Sequence, residues 1–334
     1  MDRATKQKAT IYFTALIGTV LLFIGIILSI SVGAADIKAQ TVLHSFIHWD
    51  ESKEQMIIRT LRLPRAVLGV LVGASLAVAG ALMQAITKNA LASPQVFGVN
   101  AGASLFVVSS LVLFPGLSSA SLVYAAFLGA ALGGVIVYSF ASGGGMTPVK
   151  LALAGMAVHF FLSSLTQGVV LFSDQGKDAL YWIVGAINGK SWTHVELILP
   201  WSLGGLMLAA ALSRSISILV LGESLAQGLG QKVTQIRILA GLLVIVLAGS
   251  SVAVAGPVGF VGLIIPHIVK KLVGGDYRRI IPFSALFGAL LVVYADILSR
   301  FIAYPFESPV GIVTALIGAP FFLYLAKQGR GIKQ

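Results

Sequence analysis

Long apolar runs, broken by short polar or glycine–proline segments, recur along the whole chain. The first has no charged residue from Ala9 to Ala35, and a crossing is expected at about 11–32. A polar segment from Asp36 to Arg65 precedes a second run at about 66–87. No charge occurs between Lys88 and Lys150, and that stretch holds two runs, about 96–113 and 121–140, separated by Pro115-Gly116. Gly143-Gly144-Gly145 and Pro148 close the pair as turn signals. Further runs fall at about 150–172, 197–213, 236–255, 258–273, 281–299 and 309–326, with Gly256-Pro257 dividing the seventh from the eighth. A helix needs about 20 residues to cross a hydrocarbon core about 30 Å thick. The pattern therefore predicts an all-α polytopic membrane protein with about ten transmembrane helices, one domain over residues 1–334, and a hydrophilic loop at about 214–235.

Composition supports this solvent assignment. Of 334 residues, 57% are apolar and only 10% charged, with a mean hydropathy of +0.95. A soluble domain carries about 25% charged residues. Such a chain cannot cover its own surface with polar groups, which excludes an ordinary water-soluble enzyme, a disordered protein and a fibrous one. It has no cysteine, so disulfides and thiolate chemistry are excluded.

The net charge of +11 is read through loop placement rather than as a nucleic-acid signal. With the N-terminus inside and crossings alternating, fifteen of the 23 basic residues fall in inner loops, against the acids Asp2, Glu223 and Asp276. Both termini are then cytoplasmic. The first uncharged run, 27 residues long, exceeds the roughly 7–15 apolar residues of a secretory leader. It reads as a retained crossing.

Small residues fall every four positions at Gly69, Gly73, Ala77 and Ala81, at Ala125, Gly129 and Gly133, and at Gly311, Ala315 and Ala319. Lipid tails give no hydrophobic drive between helices, so such stripes mark close helix contact through dispersion. With Gly80 added, the second crossing is small on several sides and is expected to be central.

Signals for catalysis are sparse. HExxH, GxSxG and paired-carboxylate patterns do not occur. Gly185-Ala-Ile-Asn-Gly189-Lys190-Ser191 is one residue short of a phosphate loop and follows no strand pattern. His44 and His48, four apart and near Asp50 and Glu51, have a spacing that could hold a metal, but two histidines fit surface packing better. His159 and His267 fit helix packing. No catalytic or metal residue is therefore assigned.

Asp296 lies inside a crossing, four residues before Arg300. It reads either as an i,i+4 ion pair or as part of a proton or ion pathway. Arg59, Arg62 and Arg65 repeat every three residues at the outer start of the second crossing, where they can snorkel to the interface or present a cationic patch to acidic groups. In the hydrophilic loop, Glu223 suits the first turn of a short helix with Leu225 and Leu229 on one face. That helix could lie at the membrane interface or insert into a soluble partner. Ser163, Ser164 and Gln167 are sparse polar groups on the fifth crossing and candidates for lining a weakly binding pathway.

Several segments together resemble a known family. They are Arg62-Leu-Pro-Arg65, Gly73 to Gln84, Asn89-Ala-Leu-Ala-Ser-Pro94 and Gly98-Val-Asn-Ala-Gly102, then Leu221-Gly222-Glu223, Gly256 to His267, Ala295-Asp296 with Arg300, and Pro309 to Thr314 with Gly318-Ala-Pro320. In order and spacing they resemble the permease subunit of ABC importers for iron–siderophore complexes, haem and cobalamin. Ala90 departs from the proline usual in that family.

The resemblance implies a type II ABC importer permease fold with ten crossings, in a bacterial cell membrane. It implies a non-catalytic chain paired with a second permease subunit, identical or not. Two cytoplasmic ATPase subunits would use ATP with Mg2+, no cofactor would be bound by this chain, and an external binding protein would deliver a ferric siderophore. Docking arginines carry over to Arg62, Arg65 and Arg300, and a coupling helix to Gly222, Glu223, Ala226, Leu229 and Gly230. An inner gate is implied around Thr147 to Val149. The alternatives are a haem or cobalamin permease of the same family and an ion-coupled secondary transporter working through Asp296.

Overall fold

The computed structural model describes residues 3–33, 37, 41–42, 45, 52–95, 97–142, 148–172, 183–302 and 306–330. The helices are α1 (Arg3–Ser31), α2 (Lys53–Ile57), α3 (Leu63–Thr87), α4 (Val99–Leu113), α5 (Ser119–Ser142), α6 (Pro148–Leu171), α7 (Trp192–Leu221), α8 (Glu223–Gly228), α9 (Val233–Ala255), α10 (Val261–Val273), α11 (Tyr277–Ile302) and α12 (Val310–Arg330). A π-helical turn, Ile58–Arg62, joins α2 to α3.

Each expected crossing coincides with one of these helices. Among the described residues, seven stretches are long and apolar enough to span a bilayer: those in α1, α5, α6, α7, α9 and α11, and the continuous α2–α3 rod. The apolar parts of α4 and α12 are shorter, and α10 has 13 residues with Lys270 and Lys271 in its last turn.

α3 is the axis of the packing. Its spanning window is 89% buried, against 22% for α1. The expected contact stripe is the reason. A Cβ on Gly73 would lie 2.2 Å from the Gly288 carbonyl oxygen of α11, and one on Gly80 would lie 1.9 Å from that of Gly262 on α10. Backbone meets backbone at both points, a separation that only glycine permits. α4 and α5 use the same device at Gly102 and Gly129. α1 instead lies along α11, where the Tyr294 hydroxyl donates to the Leu21 carbonyl at 3.0 Å.

The sixth crossing departs from expectation. α7 runs 30 residues, from Trp192 to Leu221, so Arg214 belongs to a helix and the hydrophilic loop shrinks to 222–232. Ser191 starts the helix early, because it and His194 cap each other reciprocally. At the other end, Ser213, Ile216 and Leu219 are buried at three-residue spacing, which carries the packed face past Arg214. Gly222, at φ 151° and ψ 147°, then breaks the helix in a region that glycine alone visits readily. At 1.5 Å per residue α7 is about 45 Å long, longer than a hydrocarbon core of about 30 Å. The Gly185–Ser191 run is the loop that ends on this cap, and no strand precedes it among the described residues.

Candidate functional site

Three groups of residues stand out: one at each end of the helix bundle and a cavity beside the C-terminal end of α3. At the first end, the C-terminus of α1 leaves carbonyls without helical donors, and its dipole is negative there. Arginines supply the missing donors. Arg62 Nη1 donates to the carbonyls of Ile30 and Ser31 at 2.7 Å each. Arg300 Nη1 donates to the Ser29 carbonyl at 2.7 Å and to that of Val32, and its Nη2 donates to Ser29 Oγ at 3.0 Å.

Asp296 sits between two guanidinium groups. Arg65 donates to its oxygens through Nε and Nη2 at 2.9–3.0 Å, and Arg300 Nη2 reaches it at 2.6 Å. The remaining fork of Arg65 binds Glu307 at 2.7 Å. The π-helical turn just before α3 sets the angle at which Arg62 and Arg65 turn inward.

The i,i+4 pair of Asp296 with Arg300 is therefore present. Arg62, Arg65 and Arg300 are 8, 9 and 6% exposed, respectively, and engaged with internal partners. Arg59 is exposed and donates Nη2 to the Ser45 carbonyl at 2.8 Å. His44 and His48 lie outside the described residues.

At the opposite end, α8 presents Leu225 and Leu229, 50 and 61% exposed, while Ala226 is buried beneath them. Gly230, at φ 76°, turns the chain toward α9. Glu223 pairs with Arg237 of α9 at 2.9 Å. A second tie fastens the end of α7. Ser217 Oγ donates to Asp276 Oδ1 at 2.9 Å and accepts the Tyr277 N–H at 2.8 Å. The Arg278 side chain, helped by its backbone N–H and by Ser217, holds the Asp276 carboxyl down at about 2 against the upward push of partial burial.

A lowered folded-state value stabilises the protein above the ordinary carboxylate value of 3.8 and loses that effect as pH falls toward about 2. Unfolding midpoints measured in detergent should therefore fall less between about pH 4 and pH 2 in Asp276→Asn than in the parent. Equal slopes would remove this assignment.

A cavity of about 380 Å³ lies at the C-terminal end of α3, the end away from the arginines. Thr87, Asn89, Ser93 and Gln95 supply its polar lining, and Phe97, Leu151, Phe260, Leu263 and Phe322 are among its apolar walls. Phe260 holds a left-handed backbone (φ 66°) and precedes α10. Its ring fills the notch left by Gly318 of α12, where a Cβ would lie 2.1 Å from Phe260 Cγ.

The pathway residues expected on α6 are not part of this lining. Ser163 is half-buried, and Ser164 and Gln167 are exposed. Thr147 lies outside the described residues, and Val149 is in the first turn of α6, its side chain not described. Gln84 behind the cavity, and Ser93, Gln95 and Phe260 in it, were not singled out from sequence. The available signal was a glutamine inside an uncharged helix, which is costly in lipid unless it is bonded.

Among the described residues, no group of three His, Cys, Asp or Glu side chains could hold a metal.

The profile described as the FecCD transport family matches residues 21–328. The chain belongs to the FecCD transport family. Within it, the chain is 58% identical over 334 residues to the Fe(3+)-citrate import system permease protein YfmD of Bacillus subtilis (strain 168), covering all of both chains. It is 46% identical over 316 residues to the iron(3+)-hydroxamate import system permease protein FhuB of the same strain, covering 94% of this chain and 82% of that one. A solved structure of a metal-chelate type ABC transporter in an inward-facing conformation superposes with a TM-score of 0.81 at 28% identity, over 94% of this chain and 98% of that one.

Proposed function

We propose that this FecCD chain is the permease subunit of an ATP-driven importer of iron(III) chelates in the bacterial cell membrane, with both termini in the cytoplasm. The observation that carries the reading is the match, over the whole of both chains, to a protein named as a ferric citrate import permease. Ferric citrate is accordingly the first ligand to test, ahead of haem or cobalamin. Two permease subunits enclose the route, and two ATPase subunits grip the α8 ends. An external binding protein docks at the arginine end and supplies most of the selectivity. A rigid chelate has already satisfied its metal, so a sparsely polar cavity that holds it weakly also releases it.

At the arginine end, Arg65 and Arg300 share Asp296, Arg65 also meets Glu307, and Arg62 binds α1 carbonyls, so these five described side chains together carry one positive charge in excess. That excess favours an acidic partner, with an attraction that weakens as salt rises. The same cluster argues against ion-coupled transport through Asp296, because neutralising that carboxylate strands two buried cations.

The exposed Leu225 and Leu229 and the length of α7, which exceeds a bilayer core, support a knob that enters the ATPase rather than a helix lying on lipid. Glu223→Arg should lower uptake at least about tenfold, since it opposes Arg237 and reverses the charge of the knob. Normal uptake in a variant that still binds the ATPase would refute the coupling role.

The function itself is tested by radiolabelled uptake in cells lacking this chain. Iron supplied as citrate should fail to enter while cobalamin uptake persists. Unchanged entry of every ferric chelate would overturn the reading.

A further inference from the structure

Gln84 is 2% exposed in the middle of the bundle, and its amide has more to do than pack. Pro266 has no N–H, so the Gly262 carbonyl, four residues earlier in α10, lacks its helical donor. Gln84 Nε2 stands 3.4 Å from that oxygen and 3.3 Å from the Leu263 carbonyl. On its other side, Gln84 Oε1 accepts from Lys270 Nζ at 3.3 Å. The neighbours fix the amide's orientation, because a flip would set oxygen against two carbonyls and NH2 against an ammonium. All three distances lie just beyond the usual range of about 2.7–3.2 Å, so each bond is individually weak.

The place of this contact gives it a role. Gly80, one turn from Gln84 on the same face of α3, touches the Gly262 backbone and forms a pivot. Beyond the pivot, Phe260 and Leu263 form the cavity wall. Lys270 Nζ also stands 5.5 Å from the centre of the Tyr277 ring, and the Tyr277 N–H is bonded to Ser217, near the end of α7 that leads into α8.

We propose that Gln84 and Lys270 form a latch that holds the first turn of α10, with Phe260 and Leu263, across the cavity, and that motion at α8 releases it. This rests on the importer reading and adds to it the element that governs opening. Both are positioning residues, since neither lines the cavity.

The parent chain has no cysteine, so Ser93→Cys puts a single reporter thiol in the cavity lining. In the assembled transporter, reconstituted with its ATPase and binding protein, a membrane-impermeant maleimide is applied from the α8 side without nucleotide. With Gln84→Leu added, labelling should be about fivefold faster, and iron imported per ATP hydrolysed should fall by a similar factor. Lys270→Met should do the same and Lys270→Arg should restore both, a rescue that a purely structural role does not predict. Should Gln84→Leu fail to assemble, the two Lys270 variants decide. Parental labelling and parental iron per ATP in Lys270→Met would overturn the latch. Failure of the importer reading looks different: the Ser93→Cys complex with an intact latch, and the parent, would import no ferric chelate on ATP.

Discussion

Asp296→Ala should destabilise the folded chain by about 3–5 kcal/mol, the range for removing one partner from a buried ion pair. The carboxylate is shared, so its loss leaves two guanidinium groups in a site where Arg65, Asp296 and Arg300 are all under a tenth exposed. Glu307 still faces Arg65, and α1 carbonyls still face Arg300, but neither replaces the charge between them. Asp296→Asn keeps an acceptor oxygen and should fall between the parent and the alanine variant. Replacing Arg65, Asp296 and Arg300 together by leucine should be less damaging than Asp296→Ala alone, because the buried charges leave as a set. Unfolding midpoints in detergent check the order. An alanine variant within about 1 kcal/mol of the parent would show that the cluster is solvated, as surface pairs are.

Gly80→Ala should prevent the native packing of α3 against α10, while Gly69→Ala, on the same helix, should be tolerated. At Gly80 the new carbon would lie 1.9 Å from a backbone oxygen and 2.4 Å from two backbone carbons of Gly262, so two helices must separate. At Gly69 the nearest atom is a Val293 methyl at 3.4 Å, an ordinary contact. Lost backbone approach also removes the pivot beside Gln84. The yield of monodisperse protein after extraction distinguishes the pair. Equal yields would mean that the Gly80–Gly262 crossing is looser than described.

Much of this architecture is legible in the residues. Runs of uncharged sequence mark the helices because lipid leaves the backbone few alternatives to an α-helix. The central position of α3 follows from its small residues, since only a helix met on several sides needs them on several faces. The length of α7 was hidden, because Arg214 reads as a boundary when its buried neighbours Ser213 and Ile216 are not yet known to share a face.

The arginines illustrate a deeper limit. Their spacing shows that they share a side of a helix, but not whether they turn outward or cap the carbonyls of α1. That depends on a π-helical turn and on a helix end more than thirty positions earlier. Gln84 was invisible for a related reason: its partner is the carbonyl that Pro266 leaves free, and only the fold brings the two together.

The most direct test of ATP-driven import is uptake into proteoliposomes carrying this chain with its partner permease, ATPase and binding protein. Iron presented as ferric citrate should enter only when ATP is available to the ATPase and the binding protein is present on the opposite face. Proton and sodium ionophores should leave that uptake intact. Entry driven by an imposed ion gradient without ATP, and abolished by an ionophore, would contradict the account.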